Sequence, residues 1–279
     1  MDSADVRIAC VGLVGRSVFF RVPGFHMGEE TVQALSVFEE PGGKGFNQAV
    51  AAARAGAKVS FLGAVGSDRY CADIEAFCEK EQIKNCLARK HGRTACAVIL
   101  TDPQGRSRVT VCPGAELENR DVENFEPEIR KADVLLLNNE VPDAINITCA
   151  EIARKSGTRI IMNPAPRRRI PEELKQQVSL FTPNEYESEE LTGYDNCIVT
   201  LGGEGSFIRQ GNEFIPAEEV TAVDTTGAGD TYTGVLAVML GEGRTLSDAA
   251  KTASKAAAIT VTRFGAASAI PYRSEYTDI

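Results

Sequence analysis

A glycine-rich turn near the carboxyl end of the chain runs directly into an apolar segment. The turn is Gly227-Ala228-Gly229, Asp230 follows it, and Val235–Leu240 predict a buried helix. Residues before Val223 predict a strand that ends at this turn. Unpaired N–H groups and the positive end of the helix dipole can bind an anion such as phosphate there. Asp230 is then either a capping carboxylate or a general base that takes a hydroxyl proton beside a phosphoryl group.

A second glycine-rich segment opens an alanine-rich helix that is expected to stop at Gly56. The run Pro41-Gly42-Gly43-Lys44-Gly45-Phe46-Asn47 begins it. Small residues here are also what a tight turn and a closely packed helix require. Asn47, however, is polar in the first turn of an otherwise apolar helix, where it could hydrogen-bond a polar ligand.

Strands and helices alternate along the chain. Val6–Gly12 predicts a buried first strand, and Asp133–Glu140 predicts another that ends in polar residues, where open α/β sheets place ligands. Gly12 and Gly15 lack the Gly-x-Gly-x-x-Gly spacing of a dinucleotide loop. A mainly parallel, doubly wound sheet is therefore expected. The other predicted elements are strands at Val59–Val65, Thr158–Asn163, Leu180–Phe181 and Cys197–Leu201, and helices at Asp73–Lys80, Asp143–Lys155 and within Thr245–Arg263.

Short β segments predict a second, smaller sheet that projects from the main body. Ser17–Val22 and Val32–Phe38 supply two of its strands. Ala95–Leu100 and Arg106–Cys112 predict a hairpin.

The composition limits the class of protein. The 279 residues, 43% of them hydrophobic, suffice for one large domain, and a net charge of -9 argues against nucleic acid or anionic membranes as partners. No apolar run is long enough to span a bilayer, and the acidic N-terminus does not read as a signal peptide. Eight cysteines without a Cys-x-x-Cys pair predict free thiols in the cytoplasm.

Two of these segments resemble signatures of one enzyme family. Asp224–Thr231 resembles the C-terminal signature of the ribokinase-like (PfkB) carbohydrate kinases, and Gly42–Ala49 resembles their N-terminal signature, closest to the ribokinase branch. The resemblance implies a ribokinase-like α/β fold with helices on both faces of a mainly parallel sheet. It also implies a single domain, 1–279, whose lid strands project from about residues 13–40 and 93–113.

The resemblance further implies a reaction and its residues. The γ-phosphoryl group of ATP would pass to a primary hydroxyl of a ribose-like sugar, with Asp230 as base and Gly227, Ala228 and Gly229 as anion hole. ATP, Mg²⁺ and K⁺ are the implied cofactors. Residues implied to hold the sugar are Gly43, Lys44, Asn47 and Glu140. Residues implied to line the nucleotide are Asn184, Thr200, Gly202, Gly205 and Ser254, with Glu187 acting indirectly on magnesium. Residues implied to hold the monovalent cation are Asp224, Thr226, Thr260, Arg263 and Gly265.

The chain departs from the family pattern at two places. Gly15-Arg16-Ser17 replaces the Asn-x-Asp that grips pentose hydroxyls in ribokinases, so ribose itself is in question. Arg16 would meet an anionic or bulkier substrate or point into solvent. Ala269 replaces a frequent serine near the cation site.

Other functions remain open at this point. The alternatives are a kinase of fructose, deoxyribose, a sugar phosphate or a nucleoside, and a non-catalytic sugar or nucleotide sensor on the same fold. Exposed edges and the apolar Val18-Phe19-Phe20 also predict a homodimer joined through the lids.

Overall fold

The structure is a computed structural model that describes residues 5–277. Residues 1–4, on which the expectation about the N-terminus partly rests, lie outside this range. Its strands are β1 (Arg7–Val11), β2 (Gly15–Arg21), β3 (Ser36–Gly42), β4 (Lys58–Leu62), β5 (Ala64–Val65), β6 (Lys84–Asn85), β7 (Ala88–Arg89), β8 (Ala95–Thr101), β9 (Ser107–Cys112), β10 (Val134–Asn138), β11 (Arg159–Asn163), β12 (Leu180–Phe181), β13 (Ile198–Thr200), β14 (Gly205–Ile208) and β15 (Glu213–Pro216). Its α-helices are α1 (Lys44–Arg54), α2 (Tyr70–Lys80), α3 (Asn119–Lys131), α4 (Asp143–Ser156), α5 (Glu172–Lys175), α6 (Glu185–Ser188), α7 (Ala228–Gly241) and α8 (Leu246–Val261).

A parallel sheet of six strands forms the centre of the molecule. Its order is β12-β11-β10-β1-β4-β6, and Ile8 of β1 pairs with Val134 of β10 and with Val59 of β4. These strands are apolar because both faces of the sheet are covered. The connections leave β1 in opposite directions, so the carboxyl ends of β1 and β10 border the crevice where such sheets bind ligands.

Helices cover both faces of this sheet, which confirms the doubly wound fold. Side chains of β1 alternate: Ile8 and Cys10 join the core beneath α1, α7 and α8, while Ala9 and Val11 join the core beneath α3 and α4. Helix α7 is buried along nearly its whole length.

Small residues bring α7 unusually close to α1. A Cβ on Gly234 would lie 2.6 Å from the Cβ of Ala51 and 2.6 Å from the carbonyl oxygen of Gln48. This close packing fixes how the amino-terminal ends of the two helices face each other, and both ends belong to the candidate site.

A separate sheet in the order β3-β2-β8-β9 forms the lid. Strands β2 and β8 are parallel, and the other two pairings are antiparallel, which confirms the predicted hairpin. The second predicted lid strand was misplaced: residues 32–35 form no strand, and β3 starts at Ser36 and continues to Gly42. Phe19 and Ile99 pack with Ala266 of the main body, so the lid is anchored by its own small core.

The carboxyl-terminal third differs from the prediction at two places. Strands β13, β14 and β15 form an antiparallel sheet, joined to the edge of the main sheet by single bridges that pair Phe181 with Cys197 and Asn184 with Thr200. The strand predicted before Val223 is absent, since residues 217–227 are irregular. The backbone N–H groups of Val223 and Asp224 donate instead to the carbonyl of Val261, at the end of α8.

Candidate active site

Helix α7 begins at the predicted glycine turn. Gly227 is the N-cap residue, and its φ of 80° lies in the left-handed region that favours glycine. Asp230 occupies the third helical position. Apart from its chain neighbours and the backbone of its own helix, no heavy atom of residues 5–277 lies within 4 Å of where a Cβ of Gly229 would be, so the first turn faces open space. N–H groups of this turn can therefore receive an anion.

Asp230 is held by two amides from α1. Asn47 Nδ2 donates to Asp230 Oδ2 at 3.0 Å, and Gln48 Nε2 donates to Asp230 Oδ1 at 3.1 Å. Asp230 is only 6% exposed, and burial raises the pKa of its carboxyl above the usual range, although Lys44 and the two amides oppose the shift. A carboxylate so oriented has the geometry and the basicity of a general base.

Glu140, two residues past the end of β10, contacts the start of α1. Its Oε2 accepts from the backbone N–H of Lys44 at 2.7 Å and of Gly45 at 3.3 Å. It thereby caps a helix whose N-cap residue, Gly43, has no side chain. Burial raises the pKa of Glu140 to about 7 against the opposing effect of the Lys44 ammonium.

Lys44 is the cation among three acidic side chains. Burial lowers its pKa, but Asp230, Glu140 and Glu187 more than offset this and raise the pKa above the ordinary lysine value. The ammonium therefore stays charged at neutral pH. Above about pH 7, where Glu140 is mostly ionised, this one ammonium faces three carboxylates.

Two cavities meet at Asp230. One, of about 330 Å³, lies under the lid. It is lined by Phe19 and other lid residues on one side and by Asn47 and Glu140 of the main body on the other. The other, of about 710 Å³, is open toward Asn184, Glu187, Thr200 and Gly202. Residues that border both cavities are Lys44, Val109, Thr226, Gly227 and Asp230. A cleft of about 690 Å³ at the opposite end of the sheet contains none of the predicted site residues.

Asn184 and Glu187 cap each other at the start of α6. Asn184 Oδ1 accepts from the N–H of Glu187 at 2.8 Å, and Glu187 Oε2 accepts from the N–H of Asn184 at 3.0 Å. The acidic residue is thus a genuine helix cap and at the same time lines the larger cavity. Burial raises the pKa of Glu187, with the Asn184 N–H and Lys44 acting in the opposite direction.

Two residues implied to line the nucleotide lie away from the larger cavity. Gly205 opens β14 with a φ of 125°, and a Cβ there would lie 2.1 Å from the carbonyl oxygen of Ile215. The backbone conformation and this close contact therefore require glycine at this position. Ser254, on α8, lines a neighbouring cleft of about 470 Å³ with Ile215 and Lys255.

The residues implied to hold a monovalent cation are only partly gathered. Asp224 is completely buried; Thr226 donates to its Oδ1 through N–H at 3.0 Å and Oγ1 at 2.7 Å, and Gly265 N–H donates to Oδ2 at 3.2 Å. Thr260 Oγ1 lies 3.0 Å from Thr231 Oγ1, and Arg263 forms an ion pair with Glu275. The side chains of Thr260 and Arg263 are thus engaged elsewhere, and only their backbone oxygens could serve a cation.

The lid reaches this same loop. The hydroxyl of Ser107, at the start of β9, lies 3.3 Å from Asp224 Oδ1 and 3.2 Å from Thr226 Oγ1. The hairpin therefore covers the junction of the two cavities.

The sequence did not decide whether Arg16 meets a substrate or points into solvent, and in the structure it forms an ion pair. Its guanidinium forms a bidentate ion pair with Glu39 and lies 4.8 Å from the centre of the Tyr70 ring. It borders the smaller cavity with its charge neutralised.

Sequence reasoning missed Gln48 and Asn163 as site residues. Gln48 is fully buried, and its Nε2 lies 3.4 Å from Asn163 Oδ1 as well as near Asp230. The signal was present, because Gln48 is a second amide directly after Asn47 in an apolar helix. Asn163 ends β11 and lines the larger cavity, as a polar residue at a strand end would.

Comparisons of the sequence and of the structure with known proteins agree on one family. The sequence model of the pfkB family carbohydrate kinases matches residues 6–273. The ribokinase of Haemophilus influenzae is 33% identical over 96% of this chain and 96% of its own length, and that of Bacillus subtilis is 34% identical over 90% and 91%. Among solved structures, the ribokinase of Thermotoga maritima has a TM-score of 0.86 with 33% identity and 98% of both chains covered. The Arabidopsis thaliana ribokinase complexed with ribose and ATP has a TM-score of 0.81 with 27% identity, covering 99% of this chain and 98% of its own.

Proposed function

The chain belongs to the pfkB family of carbohydrate kinases and is an ATP-dependent carbohydrate kinase, and on this premise we propose that it phosphorylates a primary hydroxyl of a ribose-like sugar. The observation that carries the proposal is the position of Asp230 at the junction of two cavities. The smaller cavity would hold the sugar and the larger one ATP. The Arabidopsis relative was solved in complex with ribose and ATP, which supports a site that takes both a sugar and a nucleotide.

In the proposed reaction Asp230 accepts the proton of the sugar hydroxyl. The hydroxyl oxygen attacks the γ-phosphorus of ATP, and the bond from that phosphorus to the bridging oxygen of ADP breaks. Asn47 and Gln48 each donate to one carboxylate oxygen and so fix the direction of the base. N–H groups of Gly227, Ala228 and Gly229 and the Lys44 ammonium would stabilise the charge on the phosphoryl oxygens.

Magnesium fits the larger cavity on grounds of charge. Glu187 lines it close to Asp230, and one lysine does not balance the acidic side chains. Asn184 and Glu187 would hold the ion through water, and the ion would neutralise the charge of the nucleotide phosphates.

A monovalent cation fits beside the anion hole. Asp224 is buried, and its carboxylate receives hydrogen bonds from neutral donors, among them Thr226 and Gly265. Within residues 5–277 no ion pair involves Asp224, and because buried charges are usually paired, a potassium ion next to it would supply a counter-charge. Backbone oxygens of Thr260, Arg263 and Gly265 are the remaining proposed ligands.

The charges around the smaller cavity favour a neutral sugar over a sugar phosphate. Arg16 is the basic residue on the lid side, and Glu39 neutralises it. Among residues 5–277, Lys44 is the other basic residue that lines this cavity, and it would serve the transferred phosphoryl group, so a second phosphate there would lie close to Glu140 and Asp230 with no further cation beside it. Ser17 and Gly15 provide fewer polar groups than the ribokinase pattern, so the match to ribose hydroxyls is looser than in that pattern.

We place the enzyme in the cytoplasm as a homodimer. All eight cysteines lie within residues 5–277 and are free thiols, as expected in a reducing compartment. The apolar residues predicted for the dimer contact need correction, because Val18 and Phe19 are buried inside the protomer. Val37, on edge strand β3, is instead an exposed apolar residue on the outer face of the lid, whereas Val109 and Val111 of the other edge strand line the smaller cavity.

The decisive experiment is ADP release from magnesium-ATP and potassium across a panel of sugars, sugar phosphates and nucleosides. Asp230→Asn should lower kcat by at least about 10²–10⁴-fold on the substrate that is turned over. Asp121→Asn is the matched control, since Asp121 occupies the same third position of helix α3 and lies away from the cavities. Near-full activity of Asp230→Asn would remove it from the role of base. Tight sugar binding without turnover of any compound would favour a non-catalytic sensor.

A further inference from the structure

A buried carboxylate connects the lid to the main body next to the anion hole. Glu40, on lid strand β3, is 7% exposed. Its Oε1 accepts from the backbone N–H of Ala266 at 2.6 Å, and its Oε2 accepts from the N–H of Ser268 at 2.8 Å. Within residues 5–277 no ion pair involves Glu40, so backbone N–H groups stabilise its charge. Burying a carboxylate in this way costs free energy that an apolar side chain would not, which suggests a role beyond packing.

The segment that Glu40 binds is held from its other side by an arginine. Arg54, at the end of α1, donates through Nη1 to the carbonyls of Ser268 at 3.4 Å and Ile270 at 2.5 Å. Arg54 is itself fixed by a buried ion pair with Glu81. Residues 265–270, which we call the back turn, therefore lie between a carboxylate on their N–H side and a guanidinium on their carbonyl side.

The back turn lies directly behind the anion hole. Gly265 N–H donates to Asp224 Oδ2, and the other oxygen of that carboxylate accepts from Thr226, one residue before Gly227. A Cβ on Gly227 would lie 3.3 Å from the Cα of Ala266. A displacement of the back turn would thus move or release the residues that shape the phosphate-binding turn.

We propose that Glu40 is a positioning residue for phosphoryl transfer: it holds the back turn against Gly227 and so links the position of the lid to the geometry of the anion hole. The inference rests on the proposed kinase function. It differs from the roles of the residues that line the cavities, because Glu40 acts through the backbone of Ala266 and Ser268.

The substitution that tests this is Glu40→Gln. A carboxamide has the same shape, but its NH₂ group meets one of the two N–H donors, so one hydrogen bond is lost and two donors face each other. Glu128→Gln is the matched control. Glu128 is also a partly buried carboxylate, bonded to Ser60 and Lys84, at the opposite end of the sheet.

Three quantities are measured on both variants: kcat with the KM values, the affinity for ADP by calorimetry, and amide hydrogen exchange of residues 224–231 and 264–269. For Glu40→Gln we expect kcat to fall about 10–100-fold, because small displacements of catalytic groups have effects of this size. ADP affinity should stay within about twofold, since ground-state binding does not depend on the positioned turn. Exchange should accelerate in both segments, and Glu128→Gln should change none of these quantities.

Two outcomes would overturn the inference while leaving the kinase assignment intact. Faster exchange at 264–269 with wild-type kcat would reduce Glu40 to a stabilising residue. Unchanged exchange would show that Glu40 does not hold the back turn. If Glu40→Gln does not fold, Glu40→Asp replaces it, since a side chain shorter by one methylene cannot reach both N–H groups. An inactive wild-type protein would overturn the proposed function and the positioning role together.

Discussion

Asn47 Nδ2 and Asp230 Oδ2 lie 3.0 Å apart although 183 positions separate the two residues in the chain. The contact joins the first turn of α1 to the first turn of α7. It exists because Gly234 and Ala51 let the two helices approach closely further along. A capping aspartate would have no need of an amide from a distant helix, so this pair favours the base over the cap.

Replacing Asn47 should therefore alter the acid limb of the pH–rate profile. The Asn47 hydrogen bond lowers the pKa of Asp230, so Asn47→Ala should raise that pKa further and shift the acid limb of kcat/KM to higher pH. The activity at the pH optimum should fall by about 10-fold or more, because the base also loses its orientation. Asn196→Ala, in a half-buried position bonded to Val178, is the control. An unmoved acid limb would show that Asp230 does not control it.

The two glycines of the anion hole should respond differently to alanine. Gly229→Ala puts a methyl group into open space, so the melting temperature should hold or rise, while kcat falls on the order of 100-fold because the methyl occupies the proposed phosphate site. Gly227→Ala forces a side chain into the left-handed region and should cost about 1–2 kcal/mol of unfolding free energy. Thermal melts and steady-state kinetics on both variants provide the test. A fully active Gly229→Ala would place the phosphate elsewhere.

The sequence predicts those parts of the fold that local patterns determine. The strand at Val134–Asn138 and the helix at Asp143–Ser156 follow from apolar runs and their polar boundaries, and both were placed within a residue or two. The strand expected before Val223 is absent because the backbone N–H groups of Val223 and Asp224 donate to the carbonyl oxygen of Val261. That residue ends α8, which is distant in sequence. No local pattern contains that information.

The residues of the candidate site also divide into those that local sequence patterns reveal and those that only the folded structure reveals. Gly227, Asp230 and Asn47 stand out by residue type and spacing. Gln48 and Glu40 do not, since their roles depend on packing between α1 and α7 and between the lid and the back turn. Glu40 lies two residues past the predicted lid strand Val32–Phe38, where a glutamate suggests an exposed charge, and the structure shows it buried.

Glu140 gives a stability effect with a definite sign. Its folded pKa of about 7 lies above the usual value near 4.3, so the folded state holds this proton more tightly between these pH values. The corresponding stabilisation is present below about pH 4 and is lost as the pH rises through 7. Glu140→Gln mimics the protonated form, and its melting temperature relative to wild type should therefore be higher at pH 8 than at pH 5. Glu151→Gln, at an exposed position on α4, controls for the removal of a charge.

If the difference in melting temperature between Glu140→Gln and wild type were the same at pH 5 and pH 8, the assignment of this pKa to Glu140 would be contradicted. The same variant reports on function independently. If Glu140 holds the sugar, the KM for the sugar should rise, while the KM for ATP stays close to that of wild type.

The homodimer is tested at the lid. Val37, on edge strand β3, is 59% exposed and lies on the face of the lid opposite Phe19. A lysine there would put a charge into the proposed contact between two lids, so Val37→Lys should convert the dimer into a monomer in light scattering at micromolar concentration. Phe214→Lys makes the equivalent change at an exposed aromatic residue of β15, outside the lid, and should remain dimeric. A wild-type monomer would refute the dimer altogether, and a dimeric Val37→Lys would move the contact away from this face of the lid.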